Sequence, residues 1–317
     1  MKLFLIIIGI LLIGGIGITV FFFQKDINKA YDNYTSERTR SIKTSFGNME
    51  YKTEGEGLPV LVSHGMVGGY DQALESGQGM FGEGYQIIGP SRFGYLNSDL
   101  PENPTPLNQA KAFNELTEKL NLDEVVVMAT SAGGPSAIRF ALEYPEKTKA
   151  LVMVGSGGPS EEMIEGPTGP PNAIINDFMF WVMTKPLKNI MITQMFGIDK
   201  ENYKNASTPE KEELDSLFKS MLPIKPRKEG ILNDSDVTNT EPIENYSEYD
   251  LENLDVPVII FHARNDPMAK FETAKKMHER LPNSELYAFE RGGHLIFGHG
   301  EKITEVLNER LKNKAQD

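Results

Sequence analysis

The chain has 317 residues, 39% of them hydrophobic, enough for one large α/β domain carrying an insertion or for two smaller domains. A formal charge of −13 repels nucleic acid and anionic bilayer surfaces, so neither is expected as a main partner. The absence of cysteine excludes disulfides, thiol nucleophiles and Cys-ligated metals.

Residues 3–23, LFLIIIGILLIGGIGITVFFF, run 21 positions without a charge, the length a helix needs to cross a bilayer's hydrocarbon core. A globular helix of that length would show a polar stripe. Residues 1–24 therefore read as an uncleaved transmembrane signal anchor. A cleavable signal peptide is the competing reading, but no A-x-A-like site follows the run. Residues 25–40 are polar and charged and read as a linker. Lys2 flanks one side, and Lys25 and Lys29 with Asp26 the other, so flanking charge does not fix the orientation. The signal-peptide-like arrangement points to a single-pass cell-membrane protein with its folded domain on the outer, extracellular face.

From residue 41 strand-like and helix-like segments alternate. Strands are predicted at 41–46 and 49–53, joined by the turn Gly47-Asn48, and then near 59–63, 85–89, 124–128, 150–154, 256–262 and 285–289. Apolar spacing predicts helices over 108–120 and 135–144, the latter closed by Pro145. Strands followed by crossover helices imply an α/β fold: a mostly parallel central sheet with helices on both faces and an antiparallel start. One interval breaks the alternation. Residues 157–250 have helical texture and no good strand, far beyond an ordinary loop. They read as a helical cap inserted between a first core part, 41–156, and a second, 251–317. Within the cap a helix is predicted from Thr208-Pro209, with Thr208 as N-cap and Leu214, Leu217, Phe218, Met221 and Leu222 on one face.

Ligands of open parallel sheets bind outside the carboxyl ends of the strands, so the residues just past each strand carry the chemistry. VVVM (125–128) is a buried strand, and A-T-S-A-G (129–133) follows, with Ser131 between small residues before a helix. A serine on so sharp a turn needs small neighbours two positions either side, and Ala129 replaces the first glycine of G-x-S-x-G at little cost in space. S-H-G at 63–65, H-A-R-N-D at 262–266 and G-G-H at 292–294 lie at other strand ends, and P-S-R-F-G-Y stands at 90–95.

Together these motifs, in this order, resemble a serine hydrolase of the α/β-hydrolase superfamily over roughly residues 42–311. The resemblance implies the α/β-hydrolase fold and catalytic roles for Ser131, Asp266 and His294, in the family's chain order of nucleophile, acid and base. His294 would take the serine proton, Asp266 would fix its tautomer, and the backbone N–H groups of Met66 and Ala132 would hold the oxyanion. His64 and Gly65 open the oxyanion loop on the substrate-binding side, where His64 reads as ordering that loop. His262, His278 and His299 show no catalytic pattern, and no histidine spacing suggests a metal site. Asp234-Ser235-Asp236 lacks the later ligands of a calcium loop. No cofactor is implied.

Serine at the elbow disfavours dehalogenase- and epoxide hydrolase-like chemistry, which uses aspartate there. The implied activity is hydrolysis of a small, largely apolar ester, as in carboxylesterases and lipases. Lactone, thioester or carbon–carbon hydrolysis remains an alternative, and a ligand-sensing protein that keeps the fold is the competing class. Phe178-Met179-Phe180-Trp181-Val182-Met183 is apolar around more than one helical face, so Phe178 and Trp181 are predicted to read the acyl group.

Overall fold

The computed structural model describes residues 2–161 and 168–312, with side chains from residue 14 onward. Eight strands form one sheet: β1 (Arg40–Thr44), β2 (Gly47–Gly55), β3 (Leu58–Ser63), β4 (Tyr85–Pro90), β5 (Val125–Thr130), β6 (Thr148–Val154), β7 (Val258–Ala263) and β8 (Ser284–Phe289). Their order is β1-β2-β4-β3-β5-β6-β7-β8. The β1–β2 hairpin turns at Ser45-Phe46, two residues before the expected Gly47-Asn48 turn, because Thr44 pairs with Gly47 and its Oγ1 accepts from the Phe46 amide at 3.1 Å; β2 joins β4 antiparallel, whereas all pairings from β4 to β8 are parallel.

The unbroken apolar runs follow from burial on both faces. Along β5, Val125, Val127 and Ala129 enter one core with α3 (Pro106–Lys119) and α4 (Gly134–Glu143). Val126 and Met128 enter the opposite core, against α2 (Tyr70–Phe81) and the helix Gly300–Lys312. A strand in this setting has no solvent side, so alternation disappears. Each buried Val or Met contributes roughly 1.5–3 kcal/mol, and a charge at Val127 would break both strand and core. α3 begins where its cap dictates: Thr105 accepts from the Asn108 amide and Pro106 opens the first turn.

Between β6 and β7 the described residues contain helices and no strand. They form two apolar clusters, one around Trp181, Leu222 and Ile231 and one around Met191, Leu214 and Phe218. The helix Thr208–Ser220 is capped one residue earlier than predicted, by Ser207, because Ser207 and Glu210 form a reciprocal capping box.

The N-terminal segment departs from its expectation. Helix α1 runs unbroken over Lys2–Ser36, so residues 25–36 of the expected linker are helical. The reason lies in its spacing: Phe23, Ile27, Ala30 and Tyr31 form one apolar face that joins the Trp181 cluster. Among the described residues no helix is long and apolar enough to cross a membrane. The side chains of residues 3–13, half of the expected anchor, lie outside the described residues.

Candidate functional site

Ser131 stands at the tip of β5 with φ 47°, a left-handed conformation that costs a non-glycine residue about 1–3 kcal/mol. The turn Ser131–Gly133 feeds directly into α4, which aims helix N-terminal amides at the serine. Space decides the neighbouring residues. A Cβ on Gly133 would sit 2.1 Å from the Ser63 carbonyl oxygen, so only glycine fits there. Ala129, at the other small position, is fully buried beside Ser63 and Met153 and its methyl is accommodated.

Two other strand ends deliver partners. Past β8, Gly292 (φ 129°) and Gly293 (φ 60°) turn the chain so that the His294 Nε2 lies 2.9 Å from Ser131 Oγ. Past β7, Asp266 places its carboxylate 2.9 Å and 3.1 Å from His294 Nδ1. The amides of Met268 and Ala269 donate to Asp266 Oδ1 at 2.8 and 3.0 Å, which fixes the carboxylate against rotation. His262, dismissed from sequence, stands 3.6 Å from Asp266 Oδ2 with Nε2–H donating to the Ala269 carbonyl at 2.9 Å. Burial pushes its pKa below the ordinary histidine value, so it packs beside the carboxylate as a neutral ring.

Met66 and Ala132 both border the cavity at Ser131. Gly65 lets their loops close up, since a Cβ there would lie 3.1 Å from Ser131 Cβ. His64 is a correction to the expected substrate-binding set. It is 1% exposed and does not line the cavity over Ser131. Its Nε2 accepts from the Arg92 amide at 3.0 Å and its Nδ1–H donates to the Gly65 carbonyl at 2.8 Å. Burial, then the Arg92 charge, holds its pKa well below the ordinary value, so it is a neutral strut of fixed tautomer.

Sequence reasoning missed what holds that strut. Arg92 donates through Nε to the His64 carbonyl at 2.8 Å and, bidentate, to Asp234 of the insertion at 2.7 and 2.5 Å. Tyr95 adds a third bond to Asp234, at 2.6 Å. A second clamp runs the other way: Arg227 of the insertion donates to the Gly68 carbonyl at 2.6 Å and to Asp71 at 2.6 and 3.2 Å. The insertion also covers His294, because Phe196 stacks on the imidazole and its carbonyl accepts from the His294 amide at 2.8 Å. Arg92 lies inside the P-S-R-F-G-Y motif, whereas nothing local to Asp234, Arg227 or Phe196 signals these contacts.

A cavity of ≈ 1740 Å³ opens over Ser131 and His294. Phe180, Met183, Met191, Leu214, Leu217 and Met221 supply its apolar wall. Phe178 and Trp181 do not line it. They face α1: Phe23 packs edge-on against both rings at 5.3 and 5.8 Å, and Trp181 Nε1 donates to Asp26 at 2.9 Å. The expected run is therefore split by the helical period, with Phe180 and Met183 toward the substrate side and Phe178 and Trp181 toward α1. Glu75 and Glu213 stand on the cavity wall with pKa values raised by burial, and Lys270 is its one Lys or Arg among the described residues. Among the described residues no cluster of side chains could hold a metal ion.

Comparison with known proteins agrees with this architecture. The alpha/beta hydrolase fold family matches residues 59–200. A protein of Bacillus subtilis described as uncharacterized hydrolase YcgS is 27% identical over 278 residues, covering 82% of this chain and 93% of that protein. The 2-hydroxy-6-oxononadienedioate/2-hydroxy-6-oxononatrienedioate hydrolase of Paraburkholderia phymatum is 25% identical over 83% of this chain and 90% of its own length. Among solved structures, an alpha/beta hydrolase fold protein from Nakamurella multipartita superimposes with a TM-score of 0.72 at 23% identity, covering 87% of this chain and 99% of that one. An esterase from Exiguobacterium antarcticum gives 0.64 at 24% identity, over 87% and 100%. The chain is a hydrolase with the α/β-hydrolase fold.

Proposed function

We propose that this chain is a serine hydrolase that cleaves a small, largely apolar ester through an acyl-enzyme. The carrying observation is a serine held at φ 47° with its Oγ 2.9 Å from an imidazole whose other nitrogen meets a fixed carboxylate. Ser131 attacks the ester carbonyl while His294 Nε2 takes its proton, and Asp266 stabilises the imidazolium. The oxyanion accepts from the amides of Met66 and Ala132. His294 then protonates the leaving alkoxide, and water repeats the sequence to release the acid. Labelling by a fluorophosphonate tests this reading: Ser131 is the expected adduct site, and an unlabelled active chain would sink it.

A second reading comes from relatives named as hydrolases of 2-hydroxy-6-oxo dienoates. Such substrates carry a carboxylate. Beside His294, the described lining meets an anion with one lysine, Lys270, and with Glu75, Glu210, Glu213, Glu301 and Glu305. That charge balance favours a neutral ester. Comparing kcat/KM for a neutral ester and a dienoate decides between them.

Residues 3–23 are proposed to anchor the chain in the cell membrane, with the hydrolase domain on the outer face. The support is the uncharged run of 21 residues. Retention of the full chain in membranes at alkaline pH is the expected result, and release would refute the anchor.

A further inference from the structure

The strongly exposed large apolar side chains are not scattered. Apart from Leu100 and Met268, those of the described residues lie at Ile16, Ile18, Val20, Phe21 and Phe22 of α1 or at Phe178, Leu187, Ile190 and Met195 of the insertion. These two groups are tied together. Phe23 packs on Phe178 and Trp181, Asp26 accepts from Trp181, and Tyr31 donates to Asp177 at 2.9 Å. Where α1 goes, this edge of the insertion goes with it.

We propose that the apolar edge formed by Phe178, Leu187, Ile190 and Met195 (α5, Asp177–Thr184, and the turns after it) docks on a lipid bilayer, and that the ester enters the cavity from that membrane. The proposal rests on the anchored ester-hydrolase reading above. The uncharged run ends at Phe23, the residue that packs on the insertion, so the membrane surface lies beside this edge. Exposed apolar side chains gathered on one segment in this way mark an interaction site, and a net charge of −13 leaves burial of apolar area as the driving force. Lys25 and Lys29 are exposed on the next turns of α1, where they reach lipid headgroups. Met195 joins the two ends of the path: it is 39% exposed on this edge and borders the cavity above Ser131. The substrate class that follows is an ester poorly soluble in water and dissolved in the bilayer.

Trp181 is the only tryptophan in the sequence and sits at the junction. The full chain is reconstituted in phosphatidylcholine vesicles with brominated acyl chains. Retention after alkaline washing with Trp181 emission cut to about half is the expected result. Release from the vesicles would overturn the anchor and the docking together, and retention with unquenched emission would overturn the docking alone. A second arm uses Leu187→Ser/Ile190→Ser, which leaves the cavity lining intact. Its kcat/KM should fall about tenfold on an ester dissolved in the vesicles and stay unchanged on p-nitrophenyl acetate in water. Equal rates for variant and wild type on the vesicle ester would overturn the proposal.

Discussion

The elbow at Ser131 and the clamp at Asp234 both hold the proposed reaction centre, yet one is written locally and the other is not. At the elbow, backbone geometry restricts each residue in turn: φ 47° at Ser131, no room for a Cβ at Gly133, an apolar strand before and a helix after. At the clamp, Arg92 and Asp234 stand 142 residues apart and meet only because the insertion folds back over β4. Steric constraint between near neighbours leaves a pattern in sequence, whereas long-range charge pairing leaves only two ordinary residues.

The largest effect should come from the elbow. Ser131→Ala or His294→Ala should lower kcat on p-nitrophenyl butyrate by about 10⁴- to 10⁶-fold, with little change in Tm. Either variant retaining a tenth of wild-type kcat would remove these residues from the mechanism. Gly133→Ala should instead fail by folding, because its methyl collides with the Ser63 carbonyl.

The clamp predicts a different signature. Asp234→Asn leaves the Arg92 guanidinium buried at 3% exposure without its counter-charge, at a cost of about 3–5 kcal/mol in stability. A double change, Arg92→Met with Asp234→Leu, removes both charges and should recover much of the lost Tm. It should not recover kcat, because His64 loses the guanidinium that holds its carbonyl at 2.8 Å and the oxyanion loop loses its brace. Recovery of both quantities would show that the clamp serves stability alone. Asp71→Asn, on the second clamp, should cost less, since that carboxylate is 30% exposed and water replaces part of its role.

This contrast measures what was legible. The sheet, its order of strands and helices, and the residues at three strand ends could be read because parallel strands buried on both faces and glycine-bound turns are local features. The side that Trp181 faces is not legible, because a helix apolar around more than one face does not say which face meets which neighbour. The missing partner is α1, whose Phe23, Ile27 and Tyr31 repeat at helical spacing from the end of the uncharged run into the polar stretch that follows. Asp234 is not legible as a clamp residue, since no sequence rule connects a residue in an insertion to an arginine after β4.

The acyl wall sharpens the same point at smaller scale. Each buried methylene contributes up to about 0.8 kcal/mol, so kcat/KM should rise up to about fourfold per carbon from acetate toward medium chains. Phe180→Ala or Leu217→Ala should shift that profile, because both side chains border the cavity. Trp181→Ala should leave the profile's shape unchanged and lower Tm, because Trp181 faces α1. A profile altered by Trp181→Ala and unmoved by Phe180→Ala would reverse the assignment of the two faces.

The smallest effect belongs to Glu75 and Glu213, on α2 and the insertion respectively, whose carboxyl pKa values burial raises. A raised carboxyl pKa means the folded chain holds these protons more tightly than the unfolded one. Their stability penalty is absent below the unfolded value, grows as pH rises through the window between the two values, and is complete above the folded one. Glu75→Gln/Glu213→Gln should therefore flatten the fall of Tm across that window and raise Tm slightly at neutral pH. The same charges repel anions from the cavity, so the double variant should improve kcat/KM on a succinate half-ester by a few-fold and leave a neutral ester of equal length unchanged. For wild type, the anionic substrate should gain relative to the neutral one as pH falls through that window and the two carboxyls take up protons. An anion-to-neutral rate ratio that ignores both pH and the substitutions would show that these carboxyls stand clear of the substrate's path, and that the cavity's charge selectivity is set at Lys270.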